Sequence, residues 1–200
     1  MGRGRVPRGS ADLRRKKATR RENPRILLVA EGEKTEVQYF KRLADYLRAA
    51  AISVVDVKVK GRGRDPVSII NAAANETDNG RLVGDRDGYD TAWRVFDVDD
   101  HKKIPQALAP AISNPCFELW LLWHFCDCTK HVDSTYLRRA LRGYGIKGKD
   151  IPPSFDFALA RQAVGRAPKD SSHVPRNPGT GVAGLVDYIH DPARAERNQF

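Results

Sequence analysis

Glu31, Asp97 and Asp99 are the residues of this chain whose types and spacing most readily support chemistry. Asp97 and Asp99 lie one residue apart in Phe96-Asp-Val-Asp-Asp-His101, and Glu31 opens a Glu-Gly pair directly after an apolar run. In extended backbone, residues two apart face the same way, which puts these two aspartate α-carbons roughly 6.6 Å from each other. If a third carboxylate joins them from a neighbouring strand, the three repel unless a cation neutralises them. A hard divalent ion, Mg²⁺ or Mn²⁺, suits an all-oxygen set of this kind. The plainer alternatives are a solvated loop start at Asp97-Val-Asp-Asp and an ordinary turn at Glu31-Gly32.

The elements that must position these residues can be read from hydrophobic patterning. Arg25-Ile-Leu-Leu-Val-Ala30 reads as a strand buried on both faces, ending at Glu31-Gly32. From Thr35, a candidate N-cap, apolar residues recur at Val37, Phe40, Leu43, Ala44, Leu47 and Ala51 with helical spacing. A second strand is expected over 52–59, a helix from Pro66 to about Thr77, an irregular acidic connection over 78–90, and a third strand over 91–96. This strand–helix–strand–helix–strand order predicts an α/β fold with a parallel sheet flanked by helices. In such sheets ligands bind at the carboxyl ends of the strands, where Glu31, Asp97 and Asp99 fall. Further helices are expected over 115–125, 134–143, 155–166 and 180–190.

Glu118 is the only carboxylate in the apolar helix Cys-Phe-Glu-Leu-Trp-Leu-Leu-Trp-His-Phe125. Near a helix start it can complement the macrodipole, but in a buried helix it needs a metal or a basic partner. His101 and His124 read as structural or supporting groups rather than catalytic bases. His124, Cys126, Cys128 and His131 are potential zinc ligands, but the Cys-x-Cys spacing is tighter than that of ordinary zinc knuckles. The Gly61-Arg-Gly-Arg64 loop lacks the GxxxxGK[ST] pattern of a P-loop. Its Arg62 and Arg64 fit either nucleic-acid phosphates or an ordinary turn.

At 200 residues, 40% of them hydrophobic and 30% charged, the chain has the size and composition of one globular domain. Three cysteines exclude a disulfide framework and point to a reducing, cytoplasmic setting. No apolar run approaches the ~18–20 residues of a membrane span, and the basic start has no apolar stretch behind it to make a secretory signal. The net charge of +10 is uneven: residues 1–25 carry ten Lys/Arg against Asp12 and Glu22, leaving only +2 on the rest. Residues 1–24 are expected to be a disordered basic tail, 25–190 the folded domain and 191–200 a short tail. Arg14, Arg15, Lys16 and Lys17 in the basic tail suit nucleic-acid phosphates or an acidic partner.

Four blocks in order carry a resemblance. Glu31-Gly-Glu-Lys-Thr-Glu36, Phe96-Asp-x-Asp-x-His101, Ser113-Asn-Pro-Cys-Phe-Glu-Leu-Trp-Leu-Leu-x-His-Phe125 and Asn177-Pro-x-Thr180 together resemble the RloB family, a Toprim-like group associated with bacterial abortive infection. The resemblance implies a Toprim-like Rossmannoid sheet with a helical C-terminal extension. It also implies a Mg²⁺- or Mn²⁺-dependent nuclease of antiphage defence that cuts DNA, tRNA or other RNA under the control of an ATPase partner. Glu31, Asp97 and Asp99 match the family's acidic catalytic and metal positions, with Glu36 as an added ligand; Glu118 is read as metal-supporting from its place in the apolar helix, apart from the resemblance. Lys34 would steady charge on the phosphate or stand solvated at the helix start, and His101 would support the site. The alternative is a Toprim-like module that binds nucleic acid or a partner without cutting. Oligomeric state and cleavage preference are left open.

Overall fold

A computed structural model of the chain describes residues 25–51, 56–61, 77–78, 81–82, 91–98, 110–170 and 174–191. Its strands are β1 (Arg25–Ala30), β2 (Asp56–Gly61), β3 (Thr77–Asp78), β4 (Arg81–Leu82), β5 (Thr91–Asp97), β6 (Pro110–Asn114) and β7 (Gly179–Thr180). The α-helices are α1 (Thr35–Ala49), α2 (Glu118–Trp123), α3 (Ser134–Arg142), α4 (Ala160–Arg166) and α5 (Val182–His190). The main sheet runs β2-β1-β5-β6-β7, with the first four strands parallel and β7 antiparallel at the edge. β3 and β4 form a separate antiparallel pair in what the sequence reads as an irregular connection.

β1 is paired on both sides, Leu28 lying opposite Val59 of β2 and Trp93 of β5. Ile26 to Ala30 are at most 1% exposed, which explains why this strand reads as an unbroken apolar run rather than an alternation. α1 buries Tyr39, Phe40, Leu43, Ala44 and Leu47, and α2 buries Leu119 to Trp123. Side chains from α3, α4 and α5 join the same core. No described helix is long and apolar enough to cross a membrane.

Several boundaries differ from expectation for identifiable reasons. Lys34, not Thr35, is the N-cap of α1; Thr35 is buried in the first turn and donates its hydroxyl to the Lys149 carbonyl at 2.9 Å. The second strand is described over Asp56–Gly61, two residues beyond the expected end at 59, and its expected start over 52–55 lies outside the described residues. α2 begins at Glu118 and stops at Trp123, short of the expected 115–125, because Arg166 takes the Trp123 and His124 carbonyls at 2.6 and 3.0 Å. The last turn tightens as His124 and Phe125 donate to Leu121 and Leu122, three residues back. The 155–166 helix is a 3₁₀ turn over Phe157–Leu159, capped by the Asp156 side chain, that runs into α4. β6 has no counterpart among the expected strands, and Thr180 lies in β7 ahead of α5 rather than inside that helix.

The helix expected over 66–77 lies outside the described residues except for Thr77, which is in β3. The basic tail with Arg14, Arg15, Lys16 and Lys17 also lies outside them, as do Arg62, Arg64, Asp99 and His101.

Candidate acidic active site

The strand order changes direction between β1 and β5. From β1 the chain crosses through α1 to β2 on one side, while β5 leads to β6 on the other. The crevice beyond the carboxyl ends at such a switch point is where open α/β sheets bind ligands. Glu31 follows β1 and donates its backbone N–H to the Val95 carbonyl of β5 at 3.0 Å. Asp97 is the last residue of β5, and the next residue, Val98, donates its N–H to the Ser113 carbonyl of β6 at 2.9 Å. Both carboxylates therefore grow from backbone held by the sheet itself.

Two helix starts add the remaining acids. Glu36 lies in the first turn of α1 and Glu118 begins α2. Glu36 folds back over Gly32, so that a β-carbon at Gly32 would overlap the Glu36 carboxyl group. Glycine there leaves room for the side chain rather than supplying an unusual backbone angle. Gly32→Ala is expected to push Glu36 out of the cluster, since a flexible side chain yields before the backbone does. Stability should change by less than about 1 kcal/mol, while Mn²⁺ affinity should fall about tenfold. Calorimetric titration beside a thermal melt checks this, and unchanged affinity would refute it.

The electrostatics show that these acids act on one another. Burial holds Asp97 well above the usual carboxylate range, and the charges of Glu36, Glu118 and Glu31 push it further, against one stabilising bond from the Phe117 N–H. Burial also raises Glu36; its own N–H opposes this, Glu118 and Glu31 add to it, and Lys149 offsets it. Burial raises the Cys116 thiol, with the charges of Glu118 and Asp97 adding to the effect. Asp97 as a residue is only partly buried, yet its Oδ1 is sealed from solvent and has no hydrogen-bond partner.

An orphaned carboxylate oxygen among like charges fits a hard cation, which would satisfy the oxygen and offset the repulsion together. The structure thus brings Glu31, Glu36, Asp97 and Glu118 to one edge. Among the described residues, no three His, Cys, Asp or Glu side chains close on a single ion position. The four acids form a wall with one unpartnered oxygen rather than a complete coordination shell. Lys34 is exposed at the start of α1.

Other motif residues have structural work. His124 is 1% exposed, with Nδ1 at 3.0 Å from the Trp120 carbonyl and Nε2 at 3.1 Å from the Tyr39 hydroxyl. A carbonyl can only accept, so Nδ1 carries the proton and Tyr39 donates to Nε2. Both nitrogens are occupied, and His124, Cys126, Cys128 and His131 do not gather as a zinc site. The Ser113 and Thr180 hydroxyls pair at 2.9 Å, joining β6 to β7. Asn114 donates to the Pro175 carbonyl, and Asn177 bonds both the N–H and the carbonyl of Val132. The Ser-Asn-Pro and Asn-Pro-x-Thr blocks therefore clip the sheet edge to the segment that joins α2 to α3. Sequence reasoning missed that Cys116 lies within the electrostatic reach of Glu118 and Asp97, because a lone cysteine before a helix carries no distinctive signal.

A mostly parallel α/β sheet with four carboxylates at its switch-point edge defines an α/β protein with an acidic cluster at the carboxyl edge of its sheet. The model of the RloB-like protein family matches residues 26–189, from β1 through α5, and the chain belongs to that family. Neither a curated protein nor a solved structure matches the chain.

Proposed function

We propose that this protein is a divalent-metal-dependent nuclease, an effector of antiphage defence of Toprim type whose activity is gated by an ATPase partner. The observation that carries the metal-dependent chemistry is the buried, unpartnered Oδ1 of Asp97, a carboxyl group on which the charges of Glu36, Glu118 and Glu31 act. The defence role and the ATPase rest on membership of the RloB-like family and on the resemblance of its acidic blocks to Toprim nucleases. The chain itself carries no GxxxxGK[ST] sequence, which leaves nucleotide hydrolysis to a partner.

Glu31, Asp97, Glu36 and Glu118 would hold Mg²⁺ or Mn²⁺, with Asp99 supplied by the segment that follows β5. Such an ion polarises a phosphate oxygen and lowers the pKa of an attacking water. The protein orients the ligands: the sheet pairing of Glu31 and Val98 fixes the backbone of Glu31 and Asp97, and Gly32 admits Glu36.

The test is cleavage of plasmid DNA and total tRNA in Mg²⁺, Mn²⁺ and EDTA, with and without the ATPase partner, and with Mn²⁺ binding measured by calorimetry. Wild type should bind Mn²⁺ and cut only with metal present. Glu31→Ala should retain its fold and lose at least about a hundredfold of both rate and affinity. Cutting in EDTA, or wild-type cutting by Glu31→Ala, would overturn the reading. Absence of both cutting and divalent binding would instead identify a non-catalytic nucleic-acid-binding module.

A further inference from the structure

The densest positive charge in the described part of the protein lies beside the acidic edge. Residues 130–150 carry six Lys/Arg against Asp133 and Asp150, a net +4. The two acids are both engaged, Asp133 as the N-cap of α3 and Asp150 with Gln38. α3 buries Leu137 and Leu141, and its opposite arc presents Arg138, Arg139 and Arg142 to solvent. Among the described residues, none of these arginines has a carboxylate within ion-pair distance. Elsewhere the protein does pair exposed arginines, as in Arg161–Asp187 at 2.6 Å and Arg166–Asp127 at 3.0 Å.

Two large rings stand in the same patch. Tyr136 is 44% exposed, with the Arg139 guanidinium 5.9 Å from its ring centre. Tyr144 is 43% exposed and lies flat on Phe125, with centroids 4.4 Å apart and planes 8° from parallel. The stack on Phe125 covers one face of the Tyr144 ring and leaves the other to solvent. Exposed tyrosines interleaved with unpaired arginines suit a strand whose phosphates meet the cations while its unpaired bases stack on the rings. A duplex would offer the charge but not the base faces, and an acidic peptide would leave the rings without a role.

The patch continues toward the site. After α3 the chain turns through Gly145 and Gly148, at φ +81° and +69°, and brings up Lys147 and Lys149. α1 pins this turn: Thr35 holds the Lys149 carbonyl, Gln38 bonds the Ile151 N–H, and Arg42 bonds the Ile151 and Pro152 carbonyls. Lys149 acts electrostatically on Glu36, one residue beyond Thr35. A positive path thus runs from α3 to the carboxylate edge along backbone tied to the helix that carries Glu36.

We infer that the solvent face of α3 and the 143–149 turn form a track for single-stranded nucleic acid, delivering its phosphodiester to the acidic edge. The delivery step rests on the nuclease reading above; the binding step does not. The track is tested with the full chain in EDTA, by fluorescence anisotropy of a labelled single-stranded DNA or RNA 20-mer across a salt series. A duplex of the same sequence and a polyglutamate peptide serve as the other probes. All variants keep residues 1–24, so any contribution from that basic segment is common to them.

Arg138→Gln/Arg139→Gln/Arg142→Gln should weaken single-strand binding about tenfold or more and lower the salt slope by about 2, at ~0.7 for each phosphate no longer neutralised. The corresponding triple lysine variant should restore the slope. Tyr136→Ala/Tyr144→Ala should weaken single-strand binding about tenfold and leave duplex binding unchanged. Circular dichroism and a melt confirm folding of each. Unchanged single-strand affinity in the folded triple glutamine variant would overturn the track, as would preference for the duplex. Polyglutamate binding without oligonucleotide binding would assign the patch to an acidic protein instead. If binding behaves as stated while the chain neither binds Mn²⁺ nor cuts any substrate with the ATPase partner present, the nuclease reading fails and the track stands.

Discussion

Asp97→Asn is expected to make the metal-free protein more stable while abolishing divalent binding and cleavage. The wild-type carboxyl group is held well above its ordinary range by burial and by three neighbouring acids, so its ionised form opposes folding. An amide removes that charge, can still accept from the Phe117 N–H, and offers its own N–H groups to the surrounding carboxylates. Relieving one buried, unsatisfied charged oxygen is worth about 1–3 kcal/mol. In a chain of this size that raises the melting temperature by about 2–10 °C.

The ranking should reverse with metal. A ligand that binds only the folded state stabilises it by RT ln(1 + [L]/Kd), or about 2.7 kcal/mol at a hundred times Kd. Wild type gains this and Asp97→Asn does not. The pH dependence has a definite sign. Asp97 and Glu36 both have folded pKa values above their ordinary 3.8 and 4.5, so the folded state retains protons that the unfolded chain has released. These two groups therefore make the metal-free protein lose stability as pH rises from their ordinary values through the raised ones. Saturating Mn²⁺ should flatten that loss. Melts of both proteins in EDTA and in Mn²⁺ from pH 4 to 8 check the whole pattern. A wild type indifferent to Mn²⁺, together with an asparagine variant less stable in EDTA, would refute it.

The parts of this site legible in sequence are those whose signal is local. Arg25–Ala30 is apolar throughout because β1 is paired on both sides, and the carboxylates after β1 and at the end of β5 stand out against that background. Helices with a marked apolar stripe, such as α3 and α5, fall within two residues of expectation. What was not legible depends on partners distant in sequence. β6, Pro110-Ala-Ile-Ser-Asn114, has no strand-like run, and it is a strand because β5 and β7 pair with it on either side. The end of α2 is decided by Arg166, more than forty residues further on. Thr35 reads as a cap from its position, but its hydroxyl goes to the Lys149 carbonyl, 114 residues away. Glu36 joins the acidic edge because Gly32 leaves space for it, a steric fact that the Glu-Gly pair does not announce.

A second large effect should appear below neutrality and comes from the core rather than from the acids. His124 is buried among Tyr39, Trp120 and Phe155, whose ring centres lie 5.5, 5.2 and 4.9 Å from its own. Burial lowers its pKa from 6.5 to about 4, the Trp120 carbonyl opposing this and the Arg166 charge adding to it. Folding requires the neutral ring, while the unfolded chain protonates it near pH 6.5. The unfolded state therefore binds the extra proton, and the stability that the neutral ring supports above pH 6.5 is lost as pH falls toward 4. Integrated over that interval, one such group removes about 3 kcal/mol. The acid cluster works in the opposite sense over the lower part of the range, so the effect must be isolated by difference. His124→Phe leaves the Tyr39 hydroxyl and the Trp120 carbonyl without their partner, which should cost about 2 kcal/mol at pH 7. That deficit should shrink and then change sign by pH 4, because the variant has no imidazole to protonate. Urea unfolding of both proteins at pH 7, 5.5 and 4.5 reads the difference directly. A deficit constant with pH would mean that the imidazole is already accommodated as a cation in the fold, which the proton-bearing Nδ1 and the hydroxyl donated to Nε2 do not permit.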